Sequence, residues 1–388
     1  MSQINRIDGG LIDQEKVLNF TFNGQILKGY EGDTLASALL ANNKHLIGRS
    51  FKYHRPRGIV TAGSEEPNAI MEIGNGAYKD PNTRATVTQL YNGLEANSQN
   101  HRGPLSFDFM AITDFLSPLL GAGFYYKTFM WPKSFWEKFY EPAIRKSAGL
   151  GTLSTEADPD TYDKGFRHCD ILIIGSGATG LSAALTAAES GAKIILADED
   201  FLMGGRLNSE TNEIDGIAGS EWAKKTVAKL GAMENVTLMS DTTVFGAYDH
   251  GIYGAIENRA SEAREDNDKP RQVNWRIYTK RAILCAGATE RLIAFGNNDR
   301  PGIMLASAVR TYLNRFAVAT GQRISVYTNN DDGWKTAKDL NAKGFRVTAV
   351  IDSRSISPVM RVPGAEIFMG VDVVDTKGRR ALKSIQLS

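Results

Sequence analysis

Gly175, Gly177 and Gly180 stand in the spacing G-x-G-x-x-G within "DILIIGSGATGLSAALTAAESGAKIILADED", and Asp198 follows 23 positions after the first of them. Such a spacing carries little by itself. Here it leaves an apolar strand and opens an Ala-rich helix, and the acid closes the next strand, which is the context a dinucleotide site requires. Gly175 permits the tight turn out of the strand, Gly177 removes a side chain where backbone must approach a pyrophosphate, and Gly180 lets the helix pack closely on the sheet. Ser176, Ala178 and Thr179 bring backbone amides to the same turn, where the positive end of the helix dipole favours an anion. Asp198, with Glu199 beside it, can accept hydrogen bonds from ribose hydroxyls and would repel a 2'-phosphate. NAD or the adenosine half of FAD therefore fits this site better than NADP.

Two further stretches belong with this loop. "FLMGGRLNSE" resembles the G-G-R-L element of two-dinucleotide-binding domains of the flavin reductase and amine oxidase type. Gly204 and Gly205 would let the backbone approach the nucleotide, while Arg206 either reaches a phosphate or is a surface cation. "AILCAGATERLIAFGNNDRPGIM" looks like the strand that returns to the nucleotide in such proteins, with Ala286, Gly287 and Ala288 grazing the cofactor. "RISVYTNNDDGWKTAKDL" resembles a second nucleotide unit without the G-x-G, so one nucleotide site is expected.

No other reaction chemistry is legible. The sequence lacks C-x-x-C, H-E-x-x-H and G-x-S-x-G, and its five histidines are scattered. No catalytic residue and no metal site is assigned. Only Cys169 and Cys285 are present, both beside apolar strand-like runs, which suits reduced thiols in a cytoplasmic protein and is too few for a four-thiolate cluster.

The elements that must position the loop follow from local pattern. "VLNFTFNGQILKGY" reads as two strands around Asn23-Gly24, and Asp33 or Thr34 can cap a helix bearing Leu35, Ala38 and Leu39 on one face. A Gly- and Pro-bearing loop and the strand "NAIMEIG" complete a small α+β module over residues 1–98. Residues 99–166 join an aromatic-rich segment, expected to pack into a core or between domains rather than to dock a subunit, to a Gly, Ser, Thr, Pro and Asp linker. Residues 167–388 then alternate strand and helix, with "NRASEAREDNDKPRQ" as a charged loop. The net charge of +1 offers no field for nucleic acid or an anionic membrane. The polar "MSQINRIDGG" lacks a signal peptide's apolar core, and no run reaches the ~20 apolar residues of a membrane span.

The idiosyncratic stretches "SFKYHRPRGIVTAGSEEPNA", "GFYYKTFMWP", "GSGATGLSAAL", "ATERLIAFGNNDRPGIM" and "TNNDDGW" resemble the N-terminal part of the α subunit of heterotetrameric sarcosine oxidase, over nearly the whole chain. The resemblance implies an α/β fold: a ferredoxin-like (β-grasp) module, then a Rossmann-like FAD/NAD(P)-binding domain of the two-dinucleotide-binding type holding NAD, incomplete at its C-terminus. It implies β, γ and δ partner subunits, with FAD and FMN carried through the β subunit. It also implies demethylation of sarcosine to glycine, giving hydrogen peroxide and formaldehyde, or methylenetetrahydrofolate where folate is bound. This chain ends before the family's folate domain. Substrate-binding residues are expected on a partner chain, and a related N-methyl amino acid dehydrogenase, such as N-methylglutamate dehydrogenase, is the nearest alternative. A noncatalytic structural subunit is another.

The resemblance also registers the loop "KYHRPRGIVTAGSEEPNAIMEI" on relatives whose cysteines ligate iron. Thr61, Glu66 and Ala69 fall at the thiolate positions, so no iron–sulfur cluster is expected. The loop's cations, Lys52, His54, Arg55 and Arg57, are expected to hold neighbouring carboxylates or a partner surface.

Overall fold

In the computed structural model the described residues are 3–121, 123, 129, 131–147, 151–266, 268–356 and 360–388. They form two compact units, one of residues 1–157 and 290–388 and the other of residues 158–289.

The first unit opens with the hairpin β1 (Asp13–Phe22) and β2 (Gln25–Glu31). Asn23 and Gly24 take φ of 49° and 75°, the pair of positive values that a two-residue hairpin turn needs. Helix α1 (Leu35–Ala41) follows, and all seven of its residues are buried. Thr34 caps it: its hydroxyl accepts from Ser37 N at 3.2 Å, and the Ser37 hydroxyl accepts from Thr34 N at 3.0 Å. Asp33, also buried, accepts from the Ser37 hydroxyl at 2.6 Å and pairs with Arg6 at 2.5 Å. Strands β3 (Ile70–Ile73), β4 (Asp80–Arg84) and β5 (Leu94–Ser98) complete a sheet of order β2-β1-β5-β3-β4. Its β1/β5 pair is parallel and the others antiparallel. One helix with a mixed five-stranded sheet is the β-grasp arrangement expected.

The second unit begins with β6 (Tyr162–Ile174), a strand of 13 residues that starts inside the stretch expected to be linker. The linker composition was misleading because residues 162–168 pair in register with 272–278 of another strand. Helix α2 (Ala178–Glu189), β7 (Ile194–Ala197), α3 (Gly219–Gly231), β8 (Val236–Met239), β9 (Thr242–Tyr248), β10 (Ile252–Asn258) and β11 (Gln272–Leu284) follow. The sheet runs β8-β7-β6-β11-β10-β9. Its first four strands are parallel and the last two antiparallel. Every residue of β7 is buried, as a strand covered on both faces demands. Leu181 and Ala184 of α2 pack with Ala223 and Leu230 of α3 over Ile194 and Leu196. The charged stretch expected to be only loop holds a short helix, Ala260–Glu265.

Residues 290–388 return to the first unit and form α4 (Ala306–Asn314), β12 (Arg323–Thr328), α5 (Asp331–Ala342), β13 (Arg346–Asp352), β14 (Glu366–Met369), β15 (Val373–Gly378) and β16 (Leu382–Leu387). Strands β12, β13 and β14 make a parallel sheet, and β15 and β16 a separate antiparallel pair. These compact units depart from the boundaries read along the sequence, which kept 167–388 together. The reason is burial: Leu305, Ala308, Tyr312, Phe316 and Val318 belong to the same hydrophobic cluster as α1. The Tyr312 hydroxyl also donates to Thr61 O at 2.8 Å.

The unit β12–α5–β13 has the outline of a nucleotide fold, yet its polar groups serve one another. Asn330 caps α5 by accepting from Asp332 N at 2.9 Å, and Asp352 at the end of β13 accepts from Trp334 Nε1 at 2.7 Å. Arg354 bridges Asp352 and Asp331 at 2.8 and 2.9 Å.

The aromatic-rich segment does not behave as a core. Among its described residues, Phe107, Phe109, Phe115, Trp131, Phe135 and Phe139 are exposed. Most of "GFYYKTFMWP" lies outside the described residues.

Candidate functional site

The glycine loop joins the end of β6 to the start of α2 at the C-terminal edge of the parallel strands, where open α/β sheets bind ligands. Gly175 turns with φ 98°, and a Cβ there would stand 2.5 Å from Cys285 O and 3.1 Å from the Cα of Ala286. A Cβ on Gly180 would meet Gly175 O at 1.8 Å. Gly177 differs from both: its Cβ would meet nothing within 4 Å. The space left by that missing side chain is where an approaching ligand needs it. Gly205 closes over the same point, its own Cβ position 3.1 Å from Gly177 Cα.

Gly177 is the N-cap of α2 and no side chain caps the helix. The first bond inside it runs from Leu181 N to Gly177 O at 2.9 Å. The amides of Ala178, Thr179 and Gly180 therefore precede the helical ladder and point outward as donors at its positive end.

Ser176, expected among the residues around the nucleotide, packs against the end of β7. The residue is fully buried, its amide donating to Asp198 Oδ2 at 2.5 Å and its hydroxyl to the same oxygen at 2.6 Å. The hydroxyl also accepts from Gly204 N at 3.0 Å. Ser176 is thus the joint between the glycine loop, the end of β7 and the G-G-R-L turn. Asp198 takes a third donor, Asp200 N, on Oδ1 at 2.9 Å. A carboxylate has about four acceptor positions, so the residue that fixes the loop retains room for one ribose hydroxyl. Glu199 beside it is exposed.

Arg206 pairs with Glu210 one helical turn on, at 2.7 Å. Cys285 N donates to Ile174 O at 2.7 Å, which carries the chain after β11 across the mouth of β6 and sets Ala286 beside Gly175. The structure therefore brings Gly175, Gly177, Gly180, Asp198, Gly205 and Ala286 together at one turn. The part played by Ser176 was missed, and its only sequence signal was a hydroxyl between two motif glycines. Asp241 was not singled out either. Burial, then the nearby Asp200 and Glu257, push its carboxyl up to about 6.

In the first unit, the loop between α1 and β3 encloses the Glu66 carboxylate. Oε2 accepts from Val60 N at 3.0 Å, Thr61 N at 2.7 Å and the Thr61 hydroxyl at 3.1 Å, and Oε1 from Asn68 N at 2.8 Å and Ala69 N at 3.0 Å. Three of the loop's four expected cations lie against carboxylates, while Lys52 lies over the Tyr53 ring. Arg55 reaches Asp299 at 2.8 Å, Arg57 pairs with the same residue, and His54 Nδ1 lies 2.6 Å from Asp108 Oδ2.

A sarcosine oxidase subunit alpha of Rhizobium meliloti (strain 1021) is 52% identical over 97% of this chain. The chain belongs to the sarcosine oxidase alpha-subunit family. It spans 38% of that relative's length, and a Corynebacterium sp. (strain U-96) member of the family is 37% identical over 89% of this chain and 31% of its own length. Two family models match. Residues 15–101 fit the 2Fe-2S iron-sulfur cluster binding domain, and residues 170–276 the FAD dependent oxidoreductase family. Among solved structures, L-proline dehydrogenase from P. horikoshii shares the fold, with a TM-score of 0.62 and 18% identity over 99% of this chain and 58% of that one.

The first of these models corrects the expectation that this sarcosine oxidase alpha-family chain has no iron–sulfur cluster. That expectation counted thiols; the match places the β-grasp module within a cluster-binding family. The registered positions Thr61, Glu66 and Ala69 supply a carboxylate among amides, which is not the thiolate set that usually ligates such clusters. No step of the function proposed for the chain is routed through one. Among the described residues, no group of three or more His, Cys, Asp or Glu side chains is arranged to hold a metal ion, and no helix is long and apolar enough to cross a membrane.

Proposed function

We propose that this chain is the nucleotide-binding part of the alpha subunit of a multisubunit, flavin-dependent sarcosine oxidase. The observation that carries the nucleotide assignment is the empty space at Gly177, set between the outward amides of Ala178, Thr179 and Gly180 and the Asp198 carboxylate. The amides would hold the pyrophosphate, Asp198 a ribose hydroxyl, and Gly205 and Ala286 the walls of the cleft. NAD is the occupant proposed, because a carboxylate at that place opposes a 2'-phosphate. FAD is the second reading, favoured by the FAD dependent oxidoreductase match. Either nucleotide supplies a two-electron acceptor, while these residues bind, orient and neutralise charge.

Oxidation of the substrate is assigned to the assembled complex: sarcosine to glycine, with formaldehyde or methylenetetrahydrofolate and hydrogen peroxide as the other products. The activity for which the relatives are named supports the substrate. The amine chemistry is assigned to a partner subunit carrying flavin, with β, γ and δ subunits completing the assembly; the cleft residues named above are donors, an acceptor and walls, which suit binding. The test is direct. Purified chain should bind NAD in a calorimetric titration, whereas a yellow preparation that releases FAD on denaturation would install the second reading. A complex that oxidises N-methylglutamate and leaves sarcosine untouched would overturn the substrate.

A further inference from the structure

Ser176 lies between two motif glycines without exposed surface, and it makes three polar interactions beside the ligand's place. Their directions follow from what each group can do. Gly204 N can only donate, so the Ser176 hydroxyl oxygen accepts there, at 3.0 Å. Asp198 as a carboxylate can only accept, so the single hydroxyl hydrogen goes to its Oδ2, at 2.6 Å. The Ser176 amide donates to the same oxygen at 2.5 Å.

A count at Asp198 then decides what is left for a ligand. Each carboxylate oxygen has about two acceptor positions, and both of those on Oδ2 are taken by Ser176. Oδ1 carries one donor, Asp200 N at 2.9 Å, and keeps one position. The backbone of Asp198 is pinned as well: its amide donates to Met239 O at 2.9 Å, and its carbonyl accepts from Thr242 N at 2.8 Å. Asp198 is half-buried where Ser176 is fully buried, so a ligand reaches the side of the carboxylate away from Ser176. An adenosine ribose presents two neighbouring hydroxyls. A carboxylate with both oxygens open can accept from both, and this one can accept from one.

We infer that Ser176 is the positioning residue of this contact: by occupying Oδ2 it limits Asp198 to a single ribose hydroxyl, so the site distinguishes the 2'-hydroxyl from the 3'-hydroxyl. The inference rests on the proposed nucleotide reading of the glycine loop, and it holds equally for NAD and FAD, which share the ADP half. The same hydroxyl ties the acid to Gly204, and so to the turn whose Gly205 approaches Gly177. Ser176 thus sets the ribose contact and the wall of the cleft together. An acceptor held this firmly needs little ordering when the ligand arrives.

The test titrates the nucleotide-free chain with ADP, 2'-deoxy-ADP and 3'-deoxy-ADP by calorimetry, then repeats the series with Ser176→Ala. In the parent, one deoxy compound should bind at least ~10-fold more weakly than ADP, the loss of a hydrogen bond to a charged group, and the other within ~2-fold of it. Ser176→Ala keeps the amide and removes the hydroxyl. The ratio between ADP and the weaker deoxy compound should shrink at least ~3-fold in that variant, as expected for coupled groups. A purely structural role would weaken both compounds equally and leave the ratio unchanged, which would overturn the assignment to Ser176. The parent series decides between one hydroxyl and two without any variant. Two deoxy compounds that are both at least ~10-fold weaker would show a contact through both oxygens and overturn the inference. Two that bind like ADP would show that Asp198 does not meet the ribose; the inference falls and the nucleotide reading stands. A parent that binds none of the three compounds removes the nucleotide reading, and the inference with it.

Discussion

The Cβ that Gly180 lacks would stand 1.8 Å from the carbonyl oxygen of Gly175, closer than any non-bonded contact allows. The start of α2 therefore rests directly on the turn that leaves β6. Gly180→Ala must push the two apart, and overpacking of this kind costs about 1–3 kcal/mol. We expect a lower melting temperature for the ligand-free chain together with loss of nucleotide binding, both followed by calorimetry. An alanine variant that melts and binds as the parent does would show that helix and turn are not in contact.

Gly177→Ala should separate the two effects. Its φ of −65° suits any residue, and a Cβ there meets nothing within 4 Å. The ligand-free fold should be unchanged to within about 0.5 kcal/mol, as for substitutions that disturb no packing. Nucleotide affinity should fall at least ~10-fold, equivalent to about 1.4 kcal/mol, because the methyl group occupies the ligand's space. Unchanged affinity in a titration would move the ligand away from this loop.

The turn at Gly175 and the close approach of Gly180 were legible because a missing side chain in a strand-turn-helix leaves few alternatives. The hairpin at Asn23-Gly24 was legible for a similar reason, since few residue pairs accept φ of 49° and 75° in succession. Contacts distant in sequence were not. Tyr312 under Thr61, 251 residues away, and Val318 in the cluster with α1, still farther along the chain, are pairings that no local pattern encodes. The exposure of Phe107, Phe109 and Phe115 was not legible either, because aromatic density does not say whether a side chain is covered. The hydrogen bonds that tie Ser176 to Asp198 were not legible, since they join residues 22 positions apart.

Glu66 should be a structural keystone of its loop. Five donors converge on its carboxylate, three on one oxygen and two on the other. Glu66→Gln replaces one acceptor oxygen by an NH₂ group, so at least two of those donors face another donor. A buried group left without its partner costs about 1–3 kcal/mol. The variant is expected to lose at least ~2 kcal/mol in chemical denaturation, on the scale of that penalty, while NAD binding in the other unit is retained. Equal denaturation midpoints for the two proteins would mean that the loop does not depend on this carboxylate.

Asp241 makes the second unit respond to pH. Burial is the main cause, with repulsion from Asp200 and then Glu257 adding to it, and together they push its carboxyl up to about 6. In the unfolded chain an aspartate titrates near ~3.9. The folded state therefore holds the proton more tightly, so stability is fully present below about pH 4, declines as pH rises toward about 6, and stays reduced above that. Asparagine carries no charge and tolerates the residue's φ of 47°. Asp241→Asn should accordingly match the parent at pH 4 and exceed it at pH 7.5. A carboxyl raised from ~3.9 to about 6 corresponds to about 3 kcal/mol, and partial exposure of the group brings the expected gain to about 1–2 kcal/mol. Urea denaturation at the two pH values checks this. A gain of equal size at both would assign the effect to hydrogen bonding instead of charge, and a loss at pH 7.5 would mean that the carboxylate is stabilised where it stands.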